Sequence, residues 1–240
     1  MKITGTNQIG ELVAKNYRTA AVFNSHGIDF CCRGNRSIDD VCSKKDIAQE
    51  ALISELEATL AEQRLDNADY QNWPLNVLAD HIEETHHRYV EEKTPVIQQY
   101  LDKLCKVHGE RHPELFEIAA HFNDCVKAMA AHMKKEELIL FPFIRKMINS
   151  AKKGESVDMA RFGSVENPIT IMREEHDAEG ERFRTISELS NNYTPPEDAC
   201  ATYRVAFSML DEFENDLHLH IHLENNILFP KSITLQEKLQ

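Results

Sequence analysis

Twelve histidines occur in this chain of 240 residues, and four of them fall in a pattern that suits metal. Residues 132–142 read His-Met-Lys-Lys-Glu-Glu-Leu-Ile-Leu-Phe-Pro, and residues 220–230 read His-Ile-His-Leu-Glu-Asn-Asn-Ile-Leu-Phe-Pro. Both fit His-x3-Glu-x3-Leu-Phe-Pro, at an offset of 88 residues. A lone histidine precedes each: His87 lies 45 residues before His132, and His176 lies 44 before His220. On an α-helix, residues i and i+4 share a face, about 5–6 Å apart at Cβ. His132 with Glu136, and His220 with Glu224, can therefore each reach one metal centre. Four imidazoles and two carboxylates without a thiolate suit non-haem iron, ahead of manganese or zinc. Two ions fit better than one. Six ligands give three per ion with each glutamate able to bridge, and they leave a position on each ion open to a small molecule.

These residues lie on apolar stripes. Ile118, Phe122, Cys125 and Met129 run on at helical rhythm into His132 and Glu136, and Ala206, Leu210, Phe213 and Leu217 run on into His220 and Glu224. A third stripe carries Met172, His176, Glu179, Phe183 and Ile186. An ionised carboxylate buried without a partner is very costly, so polar groups at core positions on several helices require a shared cation. A single His-x3-Glu would more often be an ordinary surface pair; the doubled motif with matched lone histidines carries the argument. The first ligand stays open on spacing. The stripe Leu75, Leu78, Ile82, Tyr89 points to His86, the stripe Val90, Ile97, Leu101 admits His87, and the repeat spacing favours His87. His81, His121, His218 and His222 read as solvated or as outer partners of the site.

Four long helical patterns must position the stripes. They run from about Leu75 to Val107 with Pro95 inside, from Pro113 to about Leu140 before Pro142, and from about Pro168 to Ser190. The fourth opens on a Thr194/Glu197 capping box with Pro195 in its first turn and runs to about Leu228 before Pro230. Short connections between long amphipathic helices predict an all-α fold, an antiparallel four-helix bundle over 75–240. The polar stretch 149–167 is its longest connection. Residues 66–74 break the helical pattern and are assigned as a linker. Residues 1–65 read as a small helical N-terminal domain: a helix over Asn16–His26, a capping box opening at Ser37, and an amphipathic helix through Ile47, Leu52, Leu56 and Leu60.

Charge and cysteines narrow the classes. Forty acidic against 27 basic residues give a formal charge of −13, the wrong sign for nucleic acid or an anionic membrane. No run of 18 apolar residues and no secretory signal is visible, which places the chain in the reducing cytoplasm. Cys31 and Cys32 are adjacent, after a helix stop at Gly27 and before the Ser37 cap. Neighbouring cysteines close only a strained disulfide, and Arg33 with the following helix start offers to lower a thiol's ionisation. A redox or metal-binding pair and two small packed residues are equally compatible with that spacing. Cys42, Cys105, Cys125 and Cys200 lie in helical patterns and read as packing residues.

Taken together, an N-terminal Asp-Phe-Cys-Cys-Arg-Gly, then His-x3-Glu-Glu-x-Ile-Leu-Phe-Pro, Glu-Glu-His-Asp-Ala-Glu-Gly-Glu and His-x-x-Leu-Glu-Asn-Asn-Ile-Leu-Phe-Pro, resembles the RIC (repair of iron centres) family of the YtfE and ScdA type, over nearly the whole chain. The resemblance implies a hemerythrin-like di-iron bundle with two non-haem irons, oxo- or hydroxo-bridged. It implies His87, His132, Glu136, His176, His220 and Glu224 as ligands and places the family's double cysteine on Cys31 and Cys32. It also implies repair of iron–sulfur clusters damaged by nitric oxide or peroxide in the bacterial cytoplasm. The connection 149–167 departs from the family in being longer and more charged.

The expected function is therefore a di-iron stress protein that supports iron–sulfur cluster repair by iron donation or by nitric oxide chemistry. Its partners would be damaged iron–sulfur proteins and the diatomic molecules NO and O2. A hemerythrin-type sensor or carrier of O2 or NO is the alternative, and an enzyme reducing NO to N2O a third. Candidates for the chemistry beyond the ligands are Cys31, Cys32 and Glu175. A homodimer, with the N-terminal domain of one subunit near the bundle of another, is an arrangement the sequence allows without marking it.

Overall fold

The computed structural model describes residues 3–61, 69–157 and 162–240. Of the expected linker 66–74, residues 66–68 lie outside the described residues, as do residues 158–161 of the connection 149–167. The described residues are helical, with no strand among them apart from an isolated bridge between Gln8 and Ser37.

Four short helices open the chain: α1 (Ile9–Lys15), α2 (Thr19–Ser25), α3 (Ile38–Lys45) and α4 (Gln49–Ala61). The Ser37 side chain accepts from the Asp40 amide and starts α3, as its capping box predicts. The helix expected from Asn16 starts instead at Thr19, because the Asn16 side chain takes the Arg18 amide and holds a turn.

Four rods follow. The first joins α5 (Leu75–His81), a π-helical turn (Ile82–His87) and α6 (Arg88–His108), which runs on through Pro95. The second joins α7 (Glu114–Lys135), a π turn (Glu136–Leu140) and α8 (Phe141–Lys153). The third is α9 (Glu166–Leu189). The fourth joins α10 (Ala201–Leu223), a π turn (Glu224–Leu228) and α11 (Phe229–Glu237). Two expected ends are thus corrected: the rods do not stop before Pro142 and Pro230. In the π turns of the second and fourth rods the amide of the phenylalanine before the proline reaches five residues back, Phe141 to the Glu136 carbonyl and Phe229 to the Glu224 carbonyl. The wider turn makes room for a ring that would collide with the carbonyl four residues earlier in an α-helix. The expected start of the fourth rod is corrected too. Thr194–Ala199 forms no helix, and α10 begins after Cys200.

Two apolar clusters fill the molecule. One spans the N-terminal helices and the bundle end that holds Val90, Phe122, Met129, Phe183, Phe213 and Leu217; the other gathers Leu78, Ile82, Leu140, Phe141, Met172, Ile227 and Phe229. The N-terminal helices pack on the bundle of the same chain, chiefly on α10 and its π turn. Gly10 and Gly34 permit this approach: a Cβ on Gly10 would stand 2.5 Å from Asn226 Oδ1, and one on Gly34 would stand 2.8 Å from the Gly10 Cα. No helix among the described residues is long and apolar enough to cross a membrane.

Candidate metal centre

Along every rod the expected ligands fall between the two clusters. In the first rod His87 follows Ile82 and precedes Val90. In the second, His132 and Glu136 stand between Met129 and Leu140. In the third, His176 follows Met172. In the fourth, His220 and Glu224 stand between Leu217 and Ile227. A polar layer therefore lies between two apolar ones, and its six side chains are all buried.

The structure brings the six together as two groups that share both carboxylates. His87, His220, Glu136 and Glu224 form one, and His132, His176, Glu136 and Glu224 the other, with the candidate ligand atoms of each within 4.8 Å of one another. Glu136 Oε2 stands 3.3 Å from both His87 Nε2 and His132 Nε2. Glu224 faces His176 Nε2 at 3.0 Å and His220 Nε2 at 3.3 Å. Of the two histidines left open by spacing, His87 enters the layer. His86 turns to Asp216 at 2.9 Å and stacks on His220, with ring centroids 5.6 Å apart.

The outer ring nitrogens fix which atoms face inward. His87 Nδ1 lies 3.0 Å from Glu137 Oε1, His132 Nδ1 lies 2.8 Å from Glu175 Oε2, and His176 Nδ1 lies 3.0 Å from Asn225 Oδ1. A carboxylate or an amide oxygen only accepts, so each of these three rings donates outward and turns the Nε2 lone pair into the layer. Lys134 and Lys135 hold Glu137 and Glu175 in turn. The hydrogen bonds to His132 and Lys135 bring Glu175 down to about 2.

The interior is then badly unbalanced without a cation. His132 Nε2 and His176 Nε2, both lone pairs by this accounting, stand 3.1 Å apart. Both oxygens of Glu136 and both of Glu224 are enclosed with no hydrogen bond, as are His87 Nε2 and both nitrogens of His220. Burial pushes the Glu136 carboxyl well up, and the neighbouring Glu224 adds to it. Burial also lowers His220 to about 4, so that ring carries no charge near pH 7 to set against the pair. One or two divalent ions would satisfy these lone pairs together, and hard oxygen with borderline nitrogen donors fit iron.

The vicinal cysteines adjoin this layer. Cys31 is buried, Cys32 half-buried, and their sulfurs are 3.7 Å apart and unbonded. Cys32 Sγ donates to the His176 carbonyl at 3.4 Å. Asn225, which holds His176, donates through Nδ2 to the Cys31 carbonyl at 3.3 Å, and Asn226 donates to the Phe30 and Cys31 carbonyls. The expected lowering of a thiol by Arg33 is corrected for Cys31. Its contact with Cys32 and its burial push that thiol well above the ordinary value, and Asp29 adds to them. Asp29, Cys31 and Cys32 form a third cluster of metal-ligating type.

Several residues escaped the sequence. His222, expected to be solvated or an outer partner, is buried against Phe30 and Tyr17, and burial takes it down to about 3. Glu137, Asn225 and Asn226 sit one or two residues after the motif glutamates, and that adjacency was their only available signal. Cys200, expected as a packing residue within a helix, is exposed and precedes α10.

Two family models match the chain: a domain of unknown function, ScdA_N, over residues 5–60, and a hemerythrin HHE cation-binding domain over residues 78–232. A protein named iron-sulfur cluster repair protein YtfE from Yersinia pestis (strain Pestoides F) is 34% identical over 225 residues, covering 94% of this chain and 96% of that protein. Its namesake from Yersinia pseudotuberculosis serotype IB (strain PB1/+) is 33% identical over the same length.

Proposed function

Since this chain belongs to the YtfE family of iron–sulfur cluster repair proteins and carries the hemerythrin HHE cation-binding domain, we propose that it restores damaged iron–sulfur clusters with a di-iron centre in its buried polar layer. One iron would be held by His87 and His220, the other by His132 and His176, with Glu136 and Glu224 shared between them. The carrying observation is the facing pair of inward lone pairs on His132 and His176, beside four carboxylate oxygens that no hydrogen bond satisfies.

Bound there, the irons would supply a one-electron couple and a place for NO or O2 to bind. The chain's own residues do the rest. Glu137, Glu175 and Asn225 fix the tautomer and direction of three imidazoles. The apolar clusters above and below keep water from competing for the positions. Glu175, partly exposed, sits on the route from His132 to solvent and suits passage of charge or of a proton. Cys31 and Cys32, behind His176, suit the handover of iron or of a nitrosyl group to a damaged iron–sulfur protein. Six free thiols agree with a reducing cytoplasm as the place of action.

Iron content and repair test this together. The purified chain should carry two irons, and Glu136→Leu with Glu224→Leu should abolish that loading with helicity retained. Unchanged stoichiometry refutes the shared-carboxylate assignment. The loaded chain should restore activity to a [4Fe–4S] enzyme inactivated by nitric oxide, and Cys31→Ser with Cys32→Ser should keep its iron yet lose that transfer. Absence of recovery under reducing and oxidising conditions alike would leave a sensor or carrier of diatomic molecules instead.

A further inference from the structure

At the far end of α10 from Glu224, some 24 residues and so about 36 Å along the axis, a second set of reactive groups meets. Cys200 is exposed and occupies the position just before the first turn of α10, with extended backbone. Its Sγ lies 3.2 Å from Nε2 of His108, the last residue of α6. His108 is only 6% exposed, and Tyr203 packs edge-on against its ring. Its other nitrogen, Nδ1, is enclosed without any partner.

That orphan nitrogen decides the tautomer. A proton on Nδ1 would be a buried donor with no acceptor, which is costly. The ring's donor therefore belongs on Nε2, facing sulfur. A nitrogen donor aimed at sulfur needs an acceptor, and a thiolate accepts far better than a thiol. The head of a 23-residue helix acts in the same sense: the amides of Tyr203 and Thr202 hold the Cys200 thiol below its ordinary value. They do so by proximity, because none closes a formed hydrogen bond onto Sγ. The charges around the pair are matched among themselves. Asp198, two residues before Cys200, takes both Arg111 and His112 from the turn after α6, and Glu114 of α7 takes the other His112 nitrogen. The remaining thiols lack this setting. Burial raises Cys42, Cys105 and Cys125, contact with Cys32 and burial raise Cys31, and Cys32 is tied to the His176 carbonyl.

We propose that Cys200, held by His108, is a nucleophilic thiol that exchanges with small disulfides. The thiolate attacks one sulfur of RS–SR, a Cys200–S–SR bond forms, the reagent's S–S bond breaks, and RS⁻ departs to take a proton from water. The Cys200 sulfur is oxidised and the departing sulfur reduced, so the disulfide is the only co-reactant. Among the described residues no second sulfur lies within hydrogen-bonding distance of Cys200, so the mixed disulfide lasts until an external thiol reverses it. The end of the bundle remote from the metal layer thus carries a reversible mark of the thiol–disulfide balance around the protein.

The test takes the full chain as purified, a sub-stoichiometric amount of dithiodipyridine, an acid quench and peptide mapping. Cys200 should be labelled first, on the order of tenfold faster at pH 7 than any other thiol, with a pH midpoint below that of a free cysteine peptide. His108→Gln should raise that midpoint and slow labelling at pH 7 by about fivefold, and Cys200→Ser should remove the fast phase. Circular dichroism and iron content report separately on folding. Labelling of Cys32 or Cys105 ahead of Cys200, or a Cys200 pH profile that His108→Gln leaves in place, overturns the proposal. Should His108→Gln fail to fold, the unaltered chain decides, and a Cys200 rate equal to that of the peptide is then the overturning result.

Discussion

The two halves of the bundle use one backbone plan and finish it differently. In each, the residue after the motif glutamate takes Nδ1 of that half's lone histidine: Glu137 takes His87 and Asn225 takes His176, both at 3.0 Å. The next position diverges. Leu138 is 71% exposed, whereas its counterpart Asn226 is covered by the N-terminal helices and donates to the cysteine loop. The residue before the lone histidine diverges as well. Glu175 accepts from His132, while its counterpart His86 stacks on His220 and bonds Asp216. After its motif glutamate, one half therefore sets a charged Glu137 and an exposed Leu138, and the other sets two amides toward the thiols. The ligands are nearly symmetric; what surrounds them separates a solvent side from a cysteine side.

The largest expected effect separates those sides directly. Glu137→Ala and Asn225→Ala each remove an outer partner and should each weaken metal binding by about 10–100-fold. Metal titration with a competing chelator measures both. If the comparison holds, only Asn225→Ala also loosens the N-terminal helices, seen as faster hydrogen exchange over residues 9–34. Equal exchange in both variants breaks it. Smaller is the effect of Gly10→Ala. Its methyl would press on Asn226 and on the Gly34 backbone, costing about 1–3 kcal/mol, read as a lower denaturation midpoint. The metal should be held by the same chain with little change, since no ligand moves.

Smallest and most gradual is the response to acid. His222 sits at about 3 in the docked molecule, against an ordinary 6.5. Undocked chain then binds a proton that docked chain refuses, so the stability of docking is full above pH 6.5 and declines as pH falls towards 3. Exchange over residues 9–34, corrected for intrinsic rates, should quicken from pH 7 to pH 5 in metal-loaded protein, and His222→Phe should blunt the change. A pH-independent rate would show that the interface does not depend on that neutral ring.

The parts visible in the sequence were those set by helical periodicity. His132, Glu136, His220 and Glu224 extend stripes already drawn by Phe122, Met129, Phe213 and Leu217, so their inward direction followed from spacing. His87 and His86 could not be separated that way, because a π turn lies between Ile82 and His87 and shifts the phase of the stripe. The same turns hid the continuation past Pro142 and Pro230, since a proline ordinarily ends a helix and its accommodation depends on the turn before it. Thr194 to Glu197 has the letters of a cap without the helix: Asn191, Asn192 and Tyr193 adopt left-handed backbone there, and the chain straightens only at Cys200. His222 and Asn226 were out of reach because their burial depends on a unit nearly 200 residues away in sequence.

The wide turns after Glu136 and Glu224 have one more implication. Each fits an additional residue into a single loop of the spiral, and an α-helix advances about 100° per residue. Removing one residue between 137 and 140 would let the rod regain ordinary pitch with Phe141, Ile144 and Met147 still facing the second cluster, but would bring the ring of Pro142 against the carbonyl four residues before it. The widened turn is thus the seat of the proline, and a one-residue deletion there should cost about 3 kcal/mol or more unless Pro142→Ala accompanies it.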